Sequence, residues 1–333
     1  MLTRKAAGKG FYYLDEAGGR IQNKEETTRI NKLAIPPAWR DVKIAESPRA
    51  KVQATGYDAA GRKQYIYHAG FRERQERRKF DRLLAFANAL PMMRKVTGEH
   101  LRAQGLGREK VLACMVRLID QAYFRVGNEQ YAKENNTYGL TTLRSRHLTV
   151  NGNKLIFDYE GKSHQEQHRE VTDTRLGRIV RELDDLPGYE IFEYFNDDGE
   201  LVKVSSQDLN AYIKEIMGAD FSAKDFRTWA GTLIAAVALA EAERHDSEAK
   251  LRREVATAIK HVAKMLGNTP AIARASYVDP RVIDHYLNGS TIKWYLQRIK
   301  TAIGEDEEHF SSEERAVLKL LQRRLRKAAQ GKQ

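Results

Sequence analysis

The chain predicts an α+β protein: a small β-rich N-terminal domain over residues 1–78, then a larger, mainly α-helical domain over 79–333 that carries a short antiparallel sheet. Three observations lead there. Short alternating runs separated by turn residues fill the first 75 positions, the period-2 pattern of half-buried strands. From Phe80 onward apolar residues recur at helical spacing. A β-rich island then interrupts the helices between residues 146 and 171. A length of 333 residues exceeds what one ordinary core organises, which favours two domains.

In the N-terminal part, Val52-Gln53-Ala54-Thr55-Gly56-Tyr57 and Gln64-Tyr65-Ile66-Tyr67-His68 flank Asp58-Ala59-Ala60-Gly61-Arg62-Lys63. That is the pattern of two strands joined by a basic, glycine-containing turn. Strand alternation puts Tyr65 and Tyr67 on one face, either with their hydroxyls turned outward or packed on the small domain's own core. The basic run Arg72-Glu73-Arg74-Gln75-Glu76-Arg77-Arg78-Lys79 marks the boundary as a helical or extended connector. Helical spacing then covers 111–124, 175–183, 225–244, 248–266 and 313–329. In the island, 146–150 and 154–159 flank Asn151-Gly152-Asn153, an Asn-Gly hairpin turn. Glu160-Gly161-Lys162-Ser163 predicts the next turn and 167–171 a third strand. Residues 190–204, around Asp197-Asp198-Gly199, predict a second short hairpin. The run Arg323-Arg324-Leu325-Arg326-Lys327 reads as the solvated side of a terminal helix, and no internal repeat is visible.

Hydrophobic residues make up 41% of the chain and charged residues 31%, a balance that supports a folded core under a well-solvated surface. No apolar run approaches the roughly 20 residues of a membrane-spanning helix. Met1-Leu2-Thr3-Arg4-Lys5 opens without the apolar stretch of a secretory signal, so the expectation is a soluble, cytoplasmic chain with no membrane partner. Cys114 is the single cysteine, which rules out an intrachain disulfide and a cysteine-rich zinc site. Lys and Arg number 57 against 45 acids, a net charge of +12. A basic surface attracts polyanions, and nucleic acid is the commonest of them.

Transfer of a phosphodiester to a hydroxyl builds charge on the non-bridging oxygens and on the leaving oxygen. Arginine forks match phosphate bidentately and keep their charge. A lysine can protonate the leaving oxygen, and a tyrosine can form a covalent intermediate. Fixed cations can then stand where a metal would. Tyr277 follows the turn-rich Leu266-Gly267-Asn268-Thr269-Pro270 segment. As one of 15 tyrosines it is either such a nucleophile or a half-buried core residue with a satisfied hydroxyl. Arg125 sits in Phe124-Arg125-Val126-Gly127-Asn128-Glu129, where Gly127-Asn128 separates two helices. It either points into a cleft or assists a helix C-terminus. Lys162, at the tip of the hairpin, is either catalytic or simply exposed. Arg227 starts a helix as Asp225-Phe226-Arg227-Thr228-Trp229-Ala230-Gly231-Thr232, whose small residues imply close packing. A buried arginine requires an anion, phosphate or carboxylate, while Asp225 reads as a neighbouring cap.

Taken in order, these segments resemble the type IB DNA topoisomerases, in particular the small bacterial and poxvirus-like branch. The resemblance rests on Ile35-Pro36-Pro37-Ala38-Trp39, Gly61-Arg62-Lys63-Gln64-Tyr65-Ile66-Tyr67, Arg125-Val126-Gly127-Asn128-Glu129, Gly161-Lys162, Phe226-Arg227-Thr228-Trp229, Leu266-Gly267-Asn268-Thr269-Pro270 and Ser276-Tyr277. It runs over nearly the whole chain and implies the catalytic fold that this family shares with the tyrosine recombinases. Tyr277 matches the nucleophile that takes up a 3′-phosphotyrosyl linkage and frees a 5′-hydroxyl. Arg125 and Arg227 match the pair that clamps the non-bridging oxygens, and Lys162 matches the hairpin lysine that protonates the leaving 5′ oxygen. Asn268 matches a position that hydrogen-bonds the phosphate and is often His in relatives.

The N-terminal segment resembles the family's DNA-clamping domain, with Arg62, Lys63, Gln64, Tyr65 and Tyr67 facing the major groove. The resemblance further implies a monomer acting on double-stranded DNA, with no cofactor, no metal and no obligatory protein partner. In keeping with that, the sequence holds no Walker loop and no evident acidic metal triad. There are two departures. Asn268 can hydrogen-bond but cannot serve as an acid or base near neutral pH. Ser163-His164-Gln165 after Lys162 lacks the second lysine that relatives often carry, and His164 stands there as another phosphate contact or as a surface residue. Two rival readings are a tyrosine recombinase and a non-catalytic DNA-binding protein. The first usually shows His-x-x-Arg or His-x-Leu-Arg, whereas Lys224-Asp225-Phe226 precedes Arg227 here. The second leaves the ordered set Arg125, Lys162, Arg227 and Tyr277 without a use.

Overall fold

The computed structural model describes residues 1–8, 10–59, 61–218, 221–299 and 310–330, with the side chains at 72, 73, 75–77, 298, 299 and 324–330 excepted. Chain contacts divide it into two units, Met1–Asp81 and Arg82–Gln333. Among the described residues no helix is long and apolar enough to cross a membrane.

In the first unit five strands form one antiparallel sheet: β1 (Leu2–Ala7), β2 (Gly10–Leu14), β3 (Arg40–Ile44), β4 (Val52–Tyr57) and β5 (Lys63–Tyr67). Their order is β2-β1-β3-β4-β5, which leaves β5 at an edge. Helix α1 (Lys24–Lys32) starts where Asn23 accepts hydrogen bonds from the Glu25 and Glu26 amides, satisfying donors that the first turn leaves open. Ile30 of α1 and the inward residues Leu2, Tyr13, Val42, Ile44 and Ala54 make the core. The Ile35–Trp39 stretch is pinned by Arg4, which donates to Ile35 O at 3.2 Å and Trp39 O at 2.7 Å. The two strands expected at 52–57 and 64–68 are β4 and β5, and Asp58 ties their turn by accepting from the Arg62 amide at 3.0 Å.

Helix α2 (Ala69–His100) contains the whole 72–79 run, so the expected connector is helix interior and the unit boundary falls inside this helix. There follow α3 (Arg108–Ala122), α4 (Glu129–Asn135), β6 (Leu148–Asn151), β7 (Lys154–Gly161), β8 (Gln165–Thr172), α5 (Thr174–Asp184), β9 (Glu193–Phe195), β10 (Leu201–Lys203) and α6 (Ser206–Met217). The chain continues through α7 (Ala223–Glu241), α8 (Glu248–Leu266), α9 (Pro270–Ser276), α10 (Pro280–Leu287), α11 (Lys293–Ile299) and α12 (Ser312–Gln330). Strands β6, β7 and β8 form a three-stranded antiparallel sheet, and β9 pairs with β10. Both expected hairpins are therefore present, the first with Asn151 and Lys154 paired across its turn. The basic run at the end of α12 lies outside the described side chains from residue 324 on.

Helix α3 is buried along most of its length, through the apolar run Val111–Val116 and on to Leu118, Ile119 and Ala122, as a helix at the centre of a core tends to be. Helix α7 packs against α3, α8, α10 and α12, with Phe226, Trp229, Ala235 and Ala236 buried. One buried ion cluster crosses this core. Arg94 of α2 bonds Asp120 of α3 at 2.8 Å and Glu314 of α12 at 2.7 Å, and Trp229 Nε1 of α7 donates to Glu314 at 3.0 Å. Burial works against the Arg94 charge, but the two carboxylates more than offset it and its pKa lies above the ordinary value.

Candidate active site

Helix α7 begins at Ala223, four residues before Arg227, earlier than the sequence pattern implies. Its start is a reciprocal cap in which Asp225 accepts from the Ser222 amide at 2.9 Å. Asp225 also pairs with Arg82 at 2.8 Å, so the cap reading of Asp225 holds and its carboxylate is spent there. Arg227 is only 3% exposed. It donates through Nη1 to Tyr123 O and through Nη2 to Leu266 O at 2.8 Å. Its Nε is buried without a hydrogen-bond partner, and among the described residues no carboxylate pairs with it. Burial pulls the guanidinium down to about 10, opposed by the adjacent Tyr277 side chain and reinforced by Arg125. A charge that is desolvated without a counter-ion behaves this way.

Arg125 reaches the same place from the segment after α3. That helix stops at Ala122 because Tyr123 takes a left-handed conformation, φ 60°. Gly127-Asn128 therefore does not end it. Asn128 instead caps the start of α4 by accepting from the Tyr131 amide, and residues 125–126 are tied to residues 140–141, with Leu140 N donating to Arg125 O at 2.9 Å and Thr141 N to Val126 O at 2.7 Å. From this anchored segment Arg125 Nη2 donates to Asn268 Oδ1 at 2.6 Å and Gly267 O at 2.7 Å. Asn268 Nδ2 is buried with no partner.

The segment leading to Tyr277 is more ordered than its turn residues imply. Gly267 closes α8 in the left-handed region, Thr269 caps α9 with Pro270 at its first position, and Tyr277 is the C-cap of that short helix. Thr-Pro here starts a helix, since proline costs nothing where the amide is unbonded anyway. Tyr277 is half-buried, with its ring centroid 5.1 Å from Arg227 Cζ. Its carbonyl lies on α7: Thr232 Oγ1 approaches Tyr277 O at 3.3 Å and accepts from the Asp279 amide at 3.1 Å. A Cβ at Gly231 would stand 2.5 Å from Tyr277 O, so only glycine permits this approach.

Arg125, Arg227, Asn268 and Tyr277 are thus brought together. Lys162 is not joined to them by any hydrogen bond. It is exposed on the turn between β7 and β8, where Ser163 and His164 have φ of 63° and 54°. His164 is exposed and bonded to Glu160, which favours its surface reading. The sequence reasoning also missed three residues beneath the site. Tyr159 of β7 and Gln167 and Arg169 of β8 are buried. Arg169 donates to Met265 O and, at 2.7 Å, to Gln167 Oε1. Burial pushes the Tyr159 phenol up, opposed by Arg169, Arg125 and Arg227. The available signal was alternation: Gln167 and Arg169 share the inward face of β8 with Val171.

In the first unit, Tyr65 and Tyr67 are 45% and 38% exposed, which decides against packing in that unit's core. Their rings stack at 6.0 Å, and Lys63 Nζ lies 5.8 Å from the Tyr65 centroid. Arg62 and Gln64 both turn to Asp58, at 2.8 and 3.0 Å.

Residues 68–303 match the family described as eukaryotic DNA topoisomerase I, catalytic core, and residues 10–58 match bacterial DNA topoisomerase IB, N-terminal domain. DNA topoisomerase 1B of Acanthamoeba polyphaga mimivirus is 32% identical over 300 residues, covering 86% of this chain and 88% of its own. DNA topoisomerase 1B of vaccinia virus (strain Copenhagen) is 24% identical over 265 residues, 77% of this chain and 80% of its own. A family match across more than half of the chain, together with a relative 32% identical over most of both chains, decides the matter: the chain belongs to the type IB DNA topoisomerases.

Proposed function

We propose that this topoisomerase relaxes positive and negative supercoils of double-stranded DNA by transient cleavage of one strand through a 3′-phosphotyrosyl intermediate at Tyr277. The observation that carries the reading is Arg227: a buried guanidinium against the Tyr277 ring, with an unpartnered Nε and, among the described residues, no carboxylate to neutralise it. A phosphodiester is the anion that completes such a site. Arg125, held beside it, takes the second non-bridging oxygen, and the unpartnered Asn268 amide donates to the same phosphate.

In the first step the Tyr277 phenol gives up its proton to solvent, its oxygen bonds to phosphorus and the bond to the 5′ oxygen breaks. Charge that builds on the non-bridging oxygens meets fixed cations already in place. Lys162 supplies the proton for the leaving oxygen, and bound DNA draws its turn to the site. The free 5′ end then turns about the intact strand, driven by torsional strain. Attack of the 5′-hydroxyl on the phosphotyrosine restores the original bond and frees Tyr277. One phosphoester replaces another in each direction, so no nucleotide has to be hydrolysed, and the arginines supply the charge stabilisation that a metal would otherwise give. The protein acts as a monomer, since one nucleophile cuts one strand. In the first unit, Tyr65, Tyr67 and Lys63 offer aromatic faces and a cation to the duplex.

The test is relaxation of negatively and positively supercoiled plasmid in excess EDTA without nucleotide. Both substrates should relax, and Tyr277→Phe should relax neither. A need for divalent metal, or full activity in Tyr277→Phe, overturns the mechanism. Strand exchange between two defined sites would favour the recombinase reading instead.

A further inference from the structure

Three arginines from three parts of the second unit hold three successive backbone carbonyls at the end of α8. Arg169 of β8 donates to Met265 O, Arg227 of α7 to Leu266 O at 2.8 Å, and Arg125 to Gly267 O at 2.7 Å. The last carbonyls of a helix have no partner within it and carry the negative end of its dipole. The clasp therefore satisfies the helix and fixes the forks at the same time. Two of the three are the arginines assigned above to phosphate. The third has no part in that assignment.

We propose that Arg169 is a positioning residue for this site: it holds the end of α8 so that Gly267 O and Asn268 Oδ1 present Arg125 to the scissile phosphate. The inference rests on the reading that Arg125 and Arg227 bind that phosphate. Arg169 lies below the turn, buried, with Nη2 on Gln167 Oε1 at 2.7 Å and Nε without a partner. Gln167 stands opposite Tyr159 across the β7–β8 ladder, so the fork is set by the sheet. The turn then rests on the fork. A Cβ at Gly267 would stand 2.8 Å from Arg169 Nη2, and only glycine can lie there in the left-handed conformation at φ +62°. A shift of Arg169 therefore moves Gly267 and Asn268, which provide both acceptors of Arg125.

A purely structural role does not call for this residue. A buried cation without a carboxylate partner is costly to desolvate. It also adds a third positive charge beside two others, which is unfavourable in the absence of an anion. Both costs make sense where geometry at the reacting phosphorus is what matters, since a displacement of about 1 Å can cost roughly a hundredfold in rate.

The experiment uses the full chain and a duplex whose cleaved 5′ strand is short enough to dissociate, so that a single round of covalent cleavage is read with enzyme in excess. Arg169→Met should slow adduct formation at least about tenfold, with DNA affinity, measured in the Tyr277→Phe background, unchanged within about twofold. In an Arg125→Ala background the same substitution should cost less than about threefold, because the two residues act through one contact. Gln167→Leu, which keeps the charge and removes only the acceptor of Nη2, is the second variant should Arg169→Met not fold, and it is read by the same criteria. A wild-type cleavage rate, a loss of affinity in step with the loss of rate, or a full loss repeated in the Arg125→Ala background overturns the proposal. Adduct formation by Tyr277→Phe itself would instead overturn the underlying reading, whatever Arg169→Met does.

Discussion

The guanidinium carbon of Arg227 stands 5.1 Å from the centre of the Tyr277 ring, and one helix sets both ends of that distance. Arg227 projects from α7. One turn further along, Gly231 and Thr232 take the backbone of residue 277, with Thr232 Oγ1 at 3.3 Å from its carbonyl. Residues fifty apart in sequence are thereby held in one frame, within a core that α3, α8, α10 and α12 close around.

Substitution at Gly231 tests this frame. A Cβ there meets Tyr277 O at 2.5 Å, Tyr277 Cβ at 2.9 Å and Leu266 Cδ1 at 3.2 Å. Gly→Ala in an exposed helix gains about 1 kcal/mol, yet Gly231→Val should destabilise by about 1–3 kcal/mol through overpacking. It should slow relaxation by roughly a hundredfold or more through displacement of the phenol. Unfolding midpoints and relaxation rates on one preparation check both halves. A Gly231→Val protein with wild-type relaxation would show that α7 does not set the nucleophile.

The ion cluster under α12 makes a second prediction. Glu314 is 3% exposed and serves Arg94, Trp229 and the Ser311 amide. Glu314→Gln leaves Arg94 short of one counter-charge, which should cost roughly 3 kcal/mol. At this size that corresponds to a melting temperature lower by about 10 °C. A thermal melt by circular dichroism reads it, and an unchanged midpoint would remove the cluster from the account of stability.

His147 predicts a pH dependence. Its Nδ1 accepts from the Arg144 amide at 3.1 Å, which requires the unprotonated nitrogen. Burial, with Arg146 and Arg144 adding to it, pushes the ring down to about 4. An unfolded histidine takes a proton near pH 6.5. Between those values the unfolded state binds more protons, so stability is whole above about pH 6.5 and falls as pH drops toward 4. From about pH 7 to about pH 5 the loss should be about 1–2 kcal/mol after screening. Urea unfolding at both pH values should show a smaller loss in His147→Asn than in the wild type. Equal losses would mean that other groups carry the acid sensitivity.

How much of this was legible in the sequence differs from element to element. Helix α8 was read to both ends, because its apolar stripe is unbroken and Gly267 punctuates it. The hairpin of β6 and β7 was legible from Asn151-Gly152. At the start of α2 the sequence leaves a helical and an extended connector open, since its first turns are a charged run without an apolar stripe; the structure takes the helical one. The end of α3 was misjudged because Tyr123, not a glycine, takes the left-handed cap, an uncommon conformation for a bulky residue. In the site, Arg125, Arg227, Asn268 and Tyr277 were found through the order of their motifs. Arg169 was not, because Gln167-His168-Arg169-Glu170 is polar on both faces of the strand, and alternation with Val171 is the single cue that one of those faces turns inward.

The central claim is that Tyr277 becomes joined to a 3′ phosphate within a frame of fixed arginines. The most direct measurement mixes the protein with duplex DNA in EDTA, denatures it, digests protein and DNA, and reads the residual crosslink by mass spectrometry. The account predicts one adduct, at Tyr277, on the 3′ phosphate of the cut strand, absent in Tyr277→Phe. A crosslink to another residue, a linkage to a 5′ phosphate, or no adduct while the DNA still relaxes would contradict it.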